Sequence, residues 1–117
     1  MPRVTVKDIV EQFNLELISG EEGIDRPITT SDISRPGLEI AGFFDYYPEE
    51  RLQLLGRTEL TFYHRLNEAD QKERMDRLCT DITPGIIITR GMEVPRFLIE
   101  ASERAAVPVM WSKEKTT

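Results

Sequence analysis

Cysteine occurs once, at Cys79, so the chain cannot form an internal disulfide, and a lone thiol fits a reducing compartment. Histidine also occurs once, at His64, which leaves too few nitrogen and sulfur ligands for a zinc site. No window approaches the ~20 apolar residues that a membrane helix needs. The opening Met1-Pro2-Arg3-Val4-Thr5-Val6-Lys7-Asp8 has no apolar run of signal-peptide length, and Asp8 interrupts any candidate. These absences predict a cytoplasmic protein. Positive charge is scarce too: 15 Lys and Arg face 21 Asp and Glu, for a net charge of -6. Phosphate backbones and anionic membranes attract a positive face, so nucleic acid and membrane partners are not expected.

What remains is the composition of one folded domain. With 117 residues, 39% of them apolar, the chain can bury a core without staples. Thr5 and Asp8 have capping-box spacing, and Val6, Ile9, Val10 and Phe13 recur at the interval of one helix face. Asn14 is a plausible stop. Leu15 to Ile18 reads as a strand and Gly20 to Gly23 as a turn. Ile24 to Ser31 reads as a second extended segment, with Pro27 at its start or on an edge. Ser34 is expected to cap a short helix carrying Pro36 in its first turn. Arg51 to Leu55 alternates like a strand and ends at Gly56. Thr58 is expected to cap a helix bearing Leu60, Tyr63 and Leu66 on one side. Asn67 caps a further helix to about Cys79, with Met75, Leu78 and Cys79 inward. Ile86-Ile87-Ile88-Thr89 is a β-branched run suited to a strand covered on both faces. Pro95 opens a helix presenting Phe97, Leu98, Ala101 and Ala105, and Val107 to Trp111 is a last strand. The final strand, helix and strand make a βαβ unit with parallel neighbouring strands. The fold class is therefore α/β: a small, mixed, partly parallel sheet flanked by helices. We place the domain at 1–111 and a polar, linker-like tail at 112–117.

The chain shows no catalytic constellation. Gly37 and Gly42 have the glycine spacing of a phosphate-binding loop. However, Phe43 and Phe44 stand where that loop needs Lys and a hydroxyl residue, so the glycines are read as serving local turns. No G-x-G-x-x-G and no G-x-S-x-G occurs. His64 lies beside an apolar stripe and reads as a surface or packed histidine, and Cys79 as a small inward hydrophobe. Glu21-Glu22 and Glu49-Glu50 fall in turn contexts. A working carboxylate pair would need an apolar pocket to separate its pKa values, so both pairs read as solvated surface. The same holds for Lys113-Glu114-Lys115. Phe43, Phe44, Tyr46 and Tyr47 crowd into five residues beside Pro48. They either seal one end of the core or form a docking surface, since aromatics are enriched in interface hot spots. Burial of all four rings would remove the docking option.

Several stretches resemble one family. They are Asn14-Leu15-Glu16-Leu17-Ile18-Ser19-Gly20-Glu21-Glu22-Gly23-Ile24 with Arg26-Pro27-Ile28-Thr29, then Ser31-Asp32-Ile33-Ser34-Arg35-Pro36-Gly37-Leu38-Glu39. Tyr47-Pro48-Glu49-Glu50-Arg51-Leu52-Gln53-Leu54-Leu55-Gly56 and Thr83-Pro84-Gly85-Ile86-Ile87-Ile88-Thr89-Arg90-Gly91 complete the set. Together these are similar to the N-terminal domain of the HPr kinase/phosphorylase family. The resemblance implies a fold like the first domain of some Mur ligases. It also implies a parent enzyme that uses ATP and magnesium to phosphorylate a serine of the phosphocarrier HPr. That enzyme removes the phosphate again with inorganic phosphate, giving pyrophosphate, within bacterial carbon catabolite control. Fructose bisphosphate and phosphate are the implied regulators, and a homo-hexamer the implied assembly. The family's catalytic residues belong to a second, C-terminal domain, so none is carried onto a position here: no catalytic, cofactor-binding or metal-binding residue is assigned, and this chain itself is not expected to be an enzyme. Its expected partners are that catalytic domain and, through the parent, HPr. The alternative expectation is a module that binds a small anion or nucleotide-like ligand, with Arg26, Arg35 and Arg90 as donors beside turns and strand ends.

Overall fold

The computed structural model describes residues 4–113, and the last part of the polar tail, residues 114–117, lies outside them. Helix α1 (Val6–Gln12) starts as expected: Asp8 N donates to Thr5 Oγ1 and Thr5 N donates to Asp8 Oδ2. The chain then turns through Asn14, held at φ 53°, into strand β1 (Glu16–Ser19). Four parallel strands follow: β2 (Ile33–Ser34), β3 (Leu52–Leu55), β4 (Ile86–Ile88) and β5 (Val109–Trp111). Between them lie α2 (Gly37–Ile40), α3 (Arg57–His64), α4 (Glu68–Leu78) and α5 (Arg96–Ala105). The sheet order is β1-β5-β4-β3-β2, with β1 antiparallel to β5. The fold is thus α/β with a mixed, mostly parallel sheet, and β4, α5 and β5 form the βαβ unit read from the sequence.

The sheet separates two apolar cores. On one face Leu55, Ile86, Ile88 and Val109 pack against Ile40, Leu60, Met75, Leu78, Leu98 and Ala101 from α2–α5. On the other, Leu52, Leu54, Ile87 and Met110 pack against Val6, with Val10, Leu17 and Ile28 at the margin. Burying each large aliphatic side chain contributes about 1.5–3 kcal/mol, so the central strands anchor the fold. This two-sided burial is why β3 is buried at all four positions and does not alternate in exposure.

Three expected elements differ. Ile24 to Ser31 is not a strand: it makes one bridge, Pro27 to Thr5, because Val6 N and Lys7 N turn to Arg26 O and Ile24 O. Ser34 is a strand residue, and α2 begins after Pro36. Gly56, not Thr58, is the cap of α3, since Glu59 in the first turn bonds back to the Gly56 amide. Gly20 uses its freedom, at φ 72°, but Gly23 does not have positive φ. Its missing side chain matters for another reason: a Cβ there would lie 1.9 Å from Ala106 O.

Candidate functional site

Parallel strands deliver their carboxyl ends to one edge of a sheet, where α/β domains commonly bind. Here that edge carries Arg35 after β2, Gly56 and Arg57 after β3, Thr89 and Arg90 after β4, and Ser112 after β5. Glu59 organises its centre. Its almost fully buried Oε1 accepts from Gly56 N at 2.7 Å and from Arg35 Nη2 at 3.2 Å. Arg35 lies so close over Gly56 that a Cβ there would meet Nη2 at 2.4 Å and Thr89 Oγ1 at 3.4 Å. Arg90 is exposed and held at φ 59°, followed by Gly91 at φ 65°. This left-handed pair turns the chain so that Gly91 N bonds Ser112 O at 2.9 Å. Ser112 N in turn bonds Ile88 O at 2.8 Å, so the chain remains tied to the sheet through Ser112.

The fold separates the three arginines singled out in the sequence. Arg35 and Arg90 both lie at the carboxyl edge. Arg26 lies at the opposite, amino edge, where its guanidinium donates to Thr80 O, Thr83 O and Ala105 O at 3.1, 2.6 and 2.7 Å. It ties three backbone segments together and is not a free donor for a ligand. Sequence reasoning missed Glu59, Arg57 and Phe62. The Gly56–Glu59 spacing is that of a capping box, but a glycine cap has no side chain to advertise it.

The remaining candidates have local roles. His64 is exposed at the end of α3, edge-on to Tyr63 with centroids 5.2 Å apart. Burial pushes the Tyr63 hydroxyl up to about 12, an effect partly offset by Arg96. Cys79 is buried, and desolvation pushes its thiol up to about 12. Glu21 and Glu22 are exposed in a single 3₁₀ turn. Glu49 and Glu50 sit in the turn before β3. Among the described residues no three His, Cys, Asp or Glu side chains are grouped to hold a metal ion. No helix there is long and apolar enough to cross a membrane.

The aromatic cluster divides in two. Phe44 and Tyr47 pack edge-to-face at 5.6 Å against the core, and Tyr47 donates to Leu78 O at 2.7 Å. Burial displaces the Tyr47 hydroxyl pKa well upward. Phe43 and Tyr46 point outward, 43% and 83% exposed, so two of the four rings remain open to a partner.

Two clefts flank the carboxyl edge. One, of about 570 Å³, is lined by Phe13, Leu15, Trp111 and Lys113 among others. The second, of about 400 Å³, runs along α3 between Arg57, Thr58, Thr61, Phe62 and Arg65. A third lies along β1, beside Glu21, Glu22 and Glu103. None of the three is lined by Arg35 or Arg90.

The family model described as HPr Serine kinase N terminus matches residues 4–117. Curated relatives named HPr kinase/phosphorylase include that of Geobacillus kaustophilus (strain HTA426), 71% identical over 117 residues. Those of Bacillus subtilis (strain 168) and Halalkalibacterium halodurans are each 64% identical. Each match covers 100% of this chain but 38% of the relative, so the chain spans well under half the length of the proteins it matches.

Proposed function

The chain belongs to the HPr serine kinase N-terminal family, and from that membership we propose that it is the non-catalytic assembly or regulatory domain of a longer, bifunctional HPr kinase/phosphorylase. In this reading the parent protein is cytoplasmic and takes part in carbon catabolite control. It transfers the terminal phosphoryl group of ATP to a serine hydroxyl of HPr. In the reverse direction it passes that group from the phosphoserine to inorganic phosphate, restoring the hydroxyl and forming pyrophosphate. The chemistry belongs to the portion that the relatives carry beyond this chain.

One observation supports assigning no phosphoryl transfer to residues 4–113. The glycine pair with phosphate-loop spacing has no amides to offer. Gly37 N donates to Arg35 O, Gly42 N to Glu39 O, and Phe43 N to Leu38 O, at 2.8–2.9 Å. A phosphate cradle needs such N–H groups turned outward, with a Lys and a hydroxyl beyond them. The segment from Gly37 to Phe44 therefore does not fit a magnesium-ATP cradle.

The test is phosphate transfer to HPr with magnesium and ATP. Residues 1–117 alone should give none, while the longer protein should be active. Turnover by purified residues 1–117 would overturn the reading.

A further inference from the structure

Two of the three clefts are lined by charge of one sign each, and the signs are opposite. The cleft along α3 is lined by Arg57, Thr58, Thr61, Phe62 and Arg65, with no acid among them. Arg57, Thr61 and Arg65 recur every four residues, so they form one exposed row, its two arginines about 12 Å apart along the axis. Phe62, 41% exposed, lies beside the row. Glu59, the one acid of α3, is turned inward to Gly56 and Arg35. Among the described residues neither Arg57 nor Arg65 makes an ion pair, with exposed Glu68 and Glu93 or with any other acid.

The cleft along β1 is lined by Leu17, Ile18, Ser19, Glu21, Glu22 and Glu103, with no base among them. All three glutamates are exposed, and among the described residues none makes an ion pair. The cations close by in the fold do not neutralise them. Arg26 is committed to three carbonyls and Arg104 to Asp76. Lys7, whose amide bonds Ile24 O, is one exposed cation against these glutamates and exposed Asp25. Glu21 and Glu22 also sit on a rigid projection. Their 3₁₀ turn closes through Gly23 N to Gly20 O at 3.0 Å and Ile24 N to Glu21 O at 3.1 Å. It presses so closely on the α5–β5 connection that a Cβ on Gly20 would lie 2.0 Å from Val107 O.

The two clefts cannot meet within one molecule. Helix α3 packs over β3, whereas the 3₁₀ turn follows β1, three strands away in the sheet, or about 14 Å at ordinary strand spacing. A second copy supplies what each lacks. Every copy carries one basic groove and one acidic projection, so a pair related by a two-fold axis can make the contact twice. Both clefts are open, as at a protein interface, whereas a small ligand is usually enclosed.

We propose that the 3₁₀ turn of one copy docks in the α3 groove of a second copy. Glu21 and Glu22 meet Arg57 and Arg65, and the half-buried Leu17 and Ile18 meet Phe62. The contact gives the assembly role proposed above a surface, and it rests on that reading for its use in the longer protein. A contact confined to one turn and one groove falls below the ~1,200 Å² of a stable interface, so association is weak, with a Kd on the order of 10⁻⁴ M. Copies already held in one assembly would occupy it at their high effective concentration.

The experiment is sedimentation of the 117-residue chain from about 10 µM to about 1 mM, a range that brackets the expected affinity. The unmodified chain should self-associate with rising concentration. Arg57→Glu/Arg65→Glu and Glu21→Lys/Glu22→Lys should each weaken that association about ten-fold or more. An equimolar mixture of the two variants should associate again, because the native turn of one meets the native groove of the other and the two reversed surfaces match. Raising ionic strength from about 0.05 M to about 0.5 M should weaken association of the unmodified chain, since screening acts on exposed pairs. The single changes Arg65→Glu and Glu22→Lys repeat the swap if a double variant does not fold. An unmodified chain that stays monomeric throughout would overturn the proposal. So would self-association that both variants retain, which would move the contact to another surface such as exposed Phe43 and Tyr46. A mixture that associates no better than either variant alone would also overturn it. Phosphate transfer by the longer protein tests the domain reading separately, since it does not require this contact.

Discussion

Arg26 offers the sharpest test of how the domain is held together. Its side chain is only partly exposed and donates to three carbonyls from separate segments: Thr80 and Thr83 before β4, and Ala105 at the end of α5. The guanidinium therefore clamps the segment that enters β4 to the α5–β5 connection at the amino edge. A hydrogen bond from a charged donor contributes about 1.5–3 kcal/mol. The three share one side chain and some solvent, so they do not sum; we expect Arg26→Met to cost about 3–4 kcal/mol. That is a large share of the ~5–15 kcal/mol that stabilises a typical domain, and corresponds to a fall in Tm of roughly 10–15 °C. Arg26→Lys keeps the charge but cannot span three acceptors with one fork, and should lie between. Urea unfolding followed by the fluorescence of Trp111, the only tryptophan, measures both variants. A loss below about 1 kcal/mol for Arg26→Met, with the urea dependence unchanged, would refute the clamp.

Alkaline pH should destabilise the fold. The Cys79 thiol is raised from 9.0 to about 12, first by desolvation, and the Tyr63 hydroxyl from 10.0 to about 12 for the same leading reason. The unfolded chain releases these protons first. The stabilisation is therefore fully present below about pH 9 and is lost progressively as pH rises toward 12. Urea midpoints should hold steady from neutrality to about pH 8.5 and then fall, and Cys79→Ala should remove the earliest part of that fall. At the carboxyl edge, Glu59→Ala takes away the acceptor for Gly56 N and the partner of Arg35, and should cost about 1–2 kcal/mol in thermal unfolding. Glu59→Gln keeps an acceptor and should recover about half of that loss.

The strongly periodic or strongly capped segments were legible before the fold. Thr5 with Asp8, Asn67 with Asp70, and the run Ile86-Ile87-Ile88 each carry a local instruction that tertiary contacts reinforce. Legibility failed where a tertiary contact outvoted a local signal. Ile24 to Ser31 has extended propensity, but its backbone groups serve the start of α1 and its Arg26 reaches across to α5. Thr58 looks like a cap, yet the buried carboxylate of Glu59 makes Gly56 the cap. The aromatic run could not be divided from sequence. Only the path of the chain around α2 and α4 turns Phe44 and Tyr47 inward and leaves Phe43 and Tyr46 outside.

Net charge is a sum and does not say where charge lies on a fold. A value of -6 argues against anionic partners when charge is spread evenly over a surface. The topology sends the exits of β2 to β5 to one edge and their entries, with the exit of antiparallel β1, to the other, and each edge carries both signs of charge. The residues that follow β2, β3 and β4 include Arg35, Arg57, Arg90 and Glu93, and those that precede them include Asp32, Glu50, Arg51 and Asp81, with Arg51 paired to Asp32 and Glu50. The same ordering also bears on what the carboxyl edge can hold. Strands β2 to β5 lie side by side in sequence order, and α2–α5 share one core with a single face of the sheet. No reversal of crossover direction opens a crevice between them, and such reversals are where α/β sheets hold nucleotides and other small ligands. An edge without that crevice is poorly shaped to enclose a phosphate, and neither Arg35 nor Arg90 lines any of the three clefts, which weighs against the two arginines as donors to a small anion.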